Sequence, residues 1–175
     1  SGGGAGGTLA ADASAKGIKG TASVTIGGGT FKIDSADDAI HSNGSVTIDG
    51  GTFTIATGDD GVHADTSLVV NGGTMTISRS YEGLESAAIT INGGEVSLVA
   101  SDDGLNAAGG RDGSGAQAPG MAPGRDNFGG AAGNYSIAIN GGTILINANG
   151  DGIDDNGKLT MSGGLVVVQG PTANN

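Results

Sequence analysis

The sequence predicts an all-β chain wound as a single-stranded, right-handed parallel β-helix, with about seven coils of 21–22 residues and three short strands per coil. Three observations predict it. Double glycines return at near-constant intervals, apolar residues fall into five columns when those intervals are superimposed, and no window shows helical i, i+3, i+4 spacing over ten residues. The double glycines are Gly28-Gly29, Gly50-Gly51, Gly72-Gly73, Gly93-Gly94, Gly141-Gly142 and Gly163-Gly164, spaced by 22, 22, 21, 48 and 22 residues. The long interval is one unit plus an insertion, which falls in the Gly/Ala/Pro-rich stretch from Gly109 to Tyr135.

Each unit reads as three strands. Before the double glycine stand Val24, Val46, Leu68, Ile89, Ile137 and Leu159, then Ile26, Ile48, Val70, Ile91, Ile139 and Met161. After it come Phe31, Phe53, Met75, Val96, Ile144 and Val166, followed by Ile33, Ile55, Ile77, Leu98, Ile146 and Val168. A third, shorter segment supplies Ile18, Ile40, Val62, Leu84, Leu105 and Ile153. Within each segment the apolar residues alternate with Thr, Ser or Lys, which is the period of a strand with one buried face. Strands this short cannot bury a face alone, but they can if successive coils stack. Crossovers between parallel strands are right-handed in nearly all cases, hence the expected hand.

On this reading residues 1–14 form a Gly-rich partial coil, 15–108 a run of coils, 109–135 an inserted loop and 136–175 further coils. Ala5 to Leu9 aligns with Gly27 to Phe31, and neither end carries a polar cap. The ends therefore read as continuing into flanking sequence or pairing head to tail with other copies.

Composition excludes several classes. The 175 residues contain no Cys, so disulfides do not hold the fold. Seven basic against 18 acidic side chains, a net charge of -11, excludes a basic nucleic-acid surface. No apolar run approaches the ~18 residues of a membrane helix.

The charge is not scattered. Eleven of the 18 carboxylates sit in the turn before the shortest strand and in that strand. One column reads Ala15, Asp37, Asp59, Tyr81, Asp102, Gly150; the next reads Lys16, Asp38, Asp60, Glu82, Asp103, Asp151. Three residues on stand Lys19, His41, His63, Glu85, Asn106 and Asp154, with Asp155 beside the last. Carboxylates one coil apart repel by about 0.9 kcal/mol per pair in bulk water and several-fold more near a protein surface. Oxygen-rich donors without thiolates favour a hard cation of loose geometry, so Asp37, Asp38, Asp59, Asp60, Glu82, Glu85, Asp102, Asp103, Asp151 and Asp154 are candidate Ca2+ ligands. Adjacent Asp residues are also good turn formers, which accounts for one Asp per turn but not for the pair in register. Asn147-x-Asn149-x-Asp151-Gly152 opens like an EF-hand loop, yet its twelfth position is Lys158 rather than a bidentate carboxylate.

His41 and His63 could coordinate a transition metal, contact a sugar or form an outward-facing polar ladder. With Tyr81 and Asn106 they are the candidate carbohydrate-binding residues. Lys16 and Lys19 are expected to pair with Asp38 and its neighbours, and Arg79 to form a surface ion pair. In the inserted loop, Phe128 or Tyr135 could present a ring for a sugar to stack on.

The phrases Asp59-Asp60-Gly61-Val62-His63-Ala64 and Asp102-Asp103-Gly104-Leu105-Asn106-Ala107, with Ser80-Tyr81-Glu82-Gly83-Leu84-Glu85, the Asn-Gly-Gly-Thr turns and Gly170-Pro171-Thr172, carry a resemblance. Residues 15 to 172, the loop excepted, resemble a secreted bacterial family of calcium-binding, pectate-lyase-like β-helix carbohydrate-binding domains. The resemblance implies a non-catalytic, calcium-dependent module, secreted or on the cell surface, that binds cellulose or acidic polysaccharides such as polygalacturonate in plant or bacterial cell walls. The first rung departs from the family pattern through Ala15-Lys16, and the last through Gly150. Two other readings fit the same pattern: a rod that stacks end to end into a calcium-stabilised extracellular filament, and a calcium-dependent pectate lyase using Lys19 or Arg79 as base.

Overall fold

The computed structural model describes residues 15–108 and 134–172, and the repeat accounts for all of its regular structure. Eighteen strands form three six-stranded parallel sheets, each sheet taking every third strand of the chain, so the described residues make six coils rather than seven. The expected partial coil within residues 1–14, and most of the inserted loop with Phe128, lie outside the described residues. Sheet A holds the three-residue strands Ile18–Gly20, Ile40–Ser42, Val62–Ala64, Leu84–Ser86, Leu105–Ala107 and Ile153–Asp155. Sheet B holds Ser23–Ile26, Ser45–Ile48, Ser67–Val70, Ala88–Ile91, Ser136–Ile139 and Lys158–Met161. Sheet C holds the longer strands Thr30–Ser35, Thr52–Thr57, Thr74–Arg79, Glu95–Ala100, Thr143–Ala148 and Leu165–Gln169.

All five apolar columns are in register: Ile40 pairs with Val62, Val46 with Leu68, Ile48 with Val70, Phe53 with Met75 and Ile55 with Ile77. Together they are the core, a continuous apolar filling bounded by the three sheets. In-register stacking lets identical side chains meet face to face. The rings of Phe31 and Phe53 lie 4.8 Å apart and 7° from parallel, which is the spacing of neighbouring strands. Tyr135 is half-buried against this core.

The turn between sheets B and C shows why its sequence is constrained. The second glycine of each pair has positive φ, from 85° at Gly142 to 115° at Gly51, a region costly for residues with a Cβ. Beside it an amide ladder climbs the rod. Asn71 Nδ2 donates to Asp49 Oδ1 at 2.7 Å, Asn92 Nδ2 to Asn71 Oδ1 at 2.7 Å, Asn140 Nδ2 to Asn92 Oδ1 at 2.9 Å and Ser162 Oγ to Asn140 Oδ1 at 2.9 Å. Each asparagine both donates and accepts, so the ladder leaves no unpaired group between its rungs.

A Cβ at Gly73 would also stand 2.7 Å from the Gly51 carbonyl oxygen, whereas one at Gly28 would meet nothing within 4 Å. Gly73→Ala should therefore lower stability by about 1–3 kcal/mol, and Gly28→Ala should leave it nearly unchanged. Urea midpoints of the two variants check this contrast.

Candidate metal centre and acidic turn

The acidic turn joins sheet C of one coil to sheet A of the next, and parallel register places each of its residues on the equivalent residue one coil away. His41 pairs with Lys19 below and His63 above, His63 with Glu85, Glu85 with Asn106, and Asn106 with Asp154. The three columns expected from the sequence are therefore present. The structure separates them by environment. Asp37, Asp59, Tyr81 and Asp102 are half-buried along the outside, while Asp38, Asp60, Glu82 and Asp103 form an inner row, all at least nine-tenths buried.

The inner row holds compensation that the sequence did not reveal. Asp60 N–H donates to Asp38 Oδ1 at 3.2 Å, Glu82 N–H to Asp60 Oδ1 at 3.1 Å and Asp151 N–H to Asp103 Oδ1 at 2.6 Å. Backbone donors from the next rung thus offset repulsion at Asp38, Asp60 and Asp103, though not at Glu82. At the lower end Lys16 Nζ lies 2.5 Å from Asp38 Oδ2 and 3.3 Å from Asp37 Oδ1, the expected pairing with Asp38. Arg79 makes a surface pair, but with Asp34 at 3.4 Å, and its Nε donates to Thr57 O at 3.1 Å.

The histidines are not an outward ladder. His41 and His63 are buried, with ring centroids 5.0 Å apart and planes 9° from parallel. His41 Nδ1 is 2.7 Å from Asp38 Oδ2. His63 Nδ1 contacts Glu85 Oε2 and lies 3.4 Å from Asp60 Oδ2, while its Nε2 donates to Asp65 Oδ1 at 3.1 Å. Asn106 is buried too, donating through Nδ2 to Glu82 Oε1 at 2.9 Å. Burial withdraws His41, His63 and Asn106 from direct contact with a polysaccharide; of the four candidates only Tyr81 keeps part of its surface in solvent.

Two groups bring ligating atoms within 4.8 Å of one another: Asp37, Asp38 and Asp59, all oxygen, and Asp60, His63 and Glu85, oxygen with nitrogen. A third convergence lies at Gly150. A Cβ there would stand 2.4 Å from Asp103 Oδ1 and 2.7 Å from Asp102 Oδ1. Glycine at this rung is thus what lets both carboxylates turn into the space, and an acid in its place would fill it. Beyond it Asp151 is exposed and Asp154 half-buried, the latter raised above the ordinary carboxylate value by burial and by Asp151 and Asp155.

A surface that sequence reasoning missed lies on the outer face of sheet C. A shallow groove of about 320 Å³ runs over Ser97, Val99, Leu145, Asn147, Val167 and Gln169. Its signal was present in the outward positions, where Thr54 and Thr76 in earlier coils give way to Leu145 and Val167 in register with Ser97.

Charge in the third and fourth coils is held by protons. Burial pushes the Glu82 carboxyl up to about 10, with Glu85 and Asp60 adding to it and Asn106 opposing. Burial also raises Asp60 well above its ordinary value, against the hydrogen bond from His63. Burial disfavours charge on His63, but hydrogen bonds to Asp60 and Glu85 outweigh it and take the imidazole up to about 11. All three groups bind protons more tightly folded than unfolded. His63 contributes stability fully present below its ordinary 6.5 and lost as pH rises through about 11; Glu82 penalises folding progressively as pH rises from 4.5 to about 10. The urea midpoint of chelator-stripped protein should therefore fall from about pH 5 to 10, and Glu82→Gln should flatten that slope.

The family comparison bears on residues 1–61 and 59–104, which match the model of the carbohydrate-binding domain-containing proteins and span more than half of the chain. No curated protein and no solved structure matches it. With the stacked acidic rungs of the second to fourth coils lying inside the matched region, the chain belongs to the family of carbohydrate-binding domain-containing proteins.

Proposed function

We propose that this chain is a non-catalytic, calcium-dependent module of a secreted or surface protein, binding acidic cell-wall polysaccharides through ions seated on the outer acidic row. The observation that carries the reading is the division of the turn. Asp37, Asp59 and Asp102 keep part of their surface in solvent, while the inner carboxylates beneath them already accept backbone hydrogen bonds. An ion on the outer row would have the inner row as a second set of oxygens. Asp37, Asp38 and Asp59 would hold one, in place of the Lys16 ammonium that contacts two of them, and Asp102 and Asp103, whose oxygens converge at Gly150, another; both sets are all oxygen, as Ca2+ prefers. Ca2+ supplies a bridge between two anions, the protein and a uronate chain, which would otherwise repel at a net charge of -11.

Of the two candidate lyase bases, Arg79 is held by Asp34 and Thr57, while Lys19 is exposed on the first strand of sheet A, in register with His41. The groove on sheet C gives a neutral chain such as cellulose a separate surface, with aliphatic floor and amide rim.

Affinity electrophoresis in polygalacturonate should show retardation with Ca2+ that is lost in chelator and reduced about tenfold or more in Asp59→Asn or Asp102→Asn. Retardation that persists in full without Ca2+ would overturn the bridging role. Incubated with polygalacturonate and Ca2+, the protein should release no unsaturated uronide. Leu145→Asp should weaken retention on cellulose and leave polygalacturonate binding unchanged.

A further inference from the structure

The junction between the third and fourth coils differs from the rest of the acidic turn. Asp60 and His63 come from one rung, Glu82 and Glu85 from the next, and register sets each pair on the other. Asp60, His63 and Glu85 bring one ligand atom each within 4.8 Å of one another. Glu82 is more than nine-tenths buried; its Oε1 accepts from Asn106 and its Oε2 has no hydrogen-bond partner. That free oxygen belongs to a carboxyl whose strongest neighbouring charges are Glu85 and Asp60.

We propose that Asp60, His63 and Glu85, with the unpartnered Glu82 Oε2 beside them, form a binding site for a borderline transition-metal dication such as Zn2+, distinct in chemistry from the oxygen-only outer row. The imidazole is the deciding donor, since nitrogen ligands favour Zn2+ and its neighbours in the series over Ca2+. Its ring is already oriented for the role, with Nε2 3.1 Å from Asp65 Oδ1 and Nδ1 facing Asp60 and Glu85. A carboxylate behind a metal-bound histidine is a recurrent supporting arrangement that fixes the ring and strengthens it as a donor. Three carboxylates and an imidazole also match a dication in charge better than they match protons alone.

The site is local because the side chains are local. The second coil offers Asp38 and His41 without a glutamate in the next rung to complete them, and the fifth offers Asp103 and Asn106, with no imidazole. Only the fourth places Glu at both positions, and the extra methylene is what carries Glu85 Oε2 back to His63 Nδ1. A metal here would rivet the third coil to the fourth in the middle of the rod.

Co2+ is the probe, because its visible d–d absorption reports nitrogen ligation and low coordination number. Added to the chelator-stripped full chain in excess Ca2+, Co2+ should bind one to one with an intense visible band that Zn2+ bleaches. His63→Gln should abolish the band while keeping the β-sheet circular dichroism. Should that variant fail to fold, Asp65→Asn retains every ligand and should lower Zn2+ affinity about 10–100-fold by removing the supporting carboxylate. A band unchanged in His63→Gln, an affinity unchanged in Asp65→Asn, or displacement of Zn2+ by equimolar Ca2+ would overturn the proposal. The outcome is independent of the polysaccharide reading, which is decided by Asp59→Asn and Asp102→Asn.

Discussion

Along the described strands residues lie on their counterparts one coil away, with one bulge after Ile55, and that superposition is the constraint from which the other properties follow. A side chain that suits its own kind at about 4.8 Å is rewarded at every rung, as with Phe31 on Phe53 or Asn92 between Asn71 and Asn140. A side chain that repels its own kind is penalised at every rung. Among the described residues the acidic turn accepts that penalty, and the means by which it does so determine its chemistry.

Compensation comes in three forms along a single row. Lys16 neutralises the bottom rung, backbone N–H groups reach Asp38 and Asp60, and the pull toward protons is strongest at Glu82 and His63 in the third and fourth coils. In the outer row Asp37 is met by Lys16 and by the Asp38 N–H, while Asp59 and Asp102 keep part of their surface in solvent. One turn sequence thus yields a buried, proton-rich inner side and a wet outer side.

Most of the fold was legible because period two within a strand and period 22 between strands both leave marks in the sequence. The five columns and the glycine at positive φ follow directly from them, as does the stacking of His41 on His63. Depth was not legible. Alternation places His41 on the face of sheet A opposite Ile40, which reads as solvent, yet the Asp38 side chain folds over it by an i, i+3 contact and leaves it 2% exposed. Nor does sequence report donors from the backbone, which carry no residue letter. Repulsion between Asp38 and Asp60 was visible; the Asp60 N–H that relieves it was not. The Gly150 rung shows the same limit in reverse. It reads as a lost acid, but the missing side chain is what gives Asp102 and Asp103 a common space.

The exchange of Asp for Glu in the fourth coil shows how finely such a row can be divided. Asp38 and Asp60 hold their oxygens near the backbone, where the next rung's N–H finds them. Glu82 and Glu85 are one methylene longer, so their oxygens reach past the backbone to side chains of other coils, Asn106 above and His63 below. The same negative charge is thereby turned from a ladder of main-chain acceptors into a cluster that includes nitrogen. Because a parallel rod keeps every rung in register, a change this small remains confined to one junction: the main-chain ladder continues above and below it, and the altered ligand set is presented at a single height along the molecule.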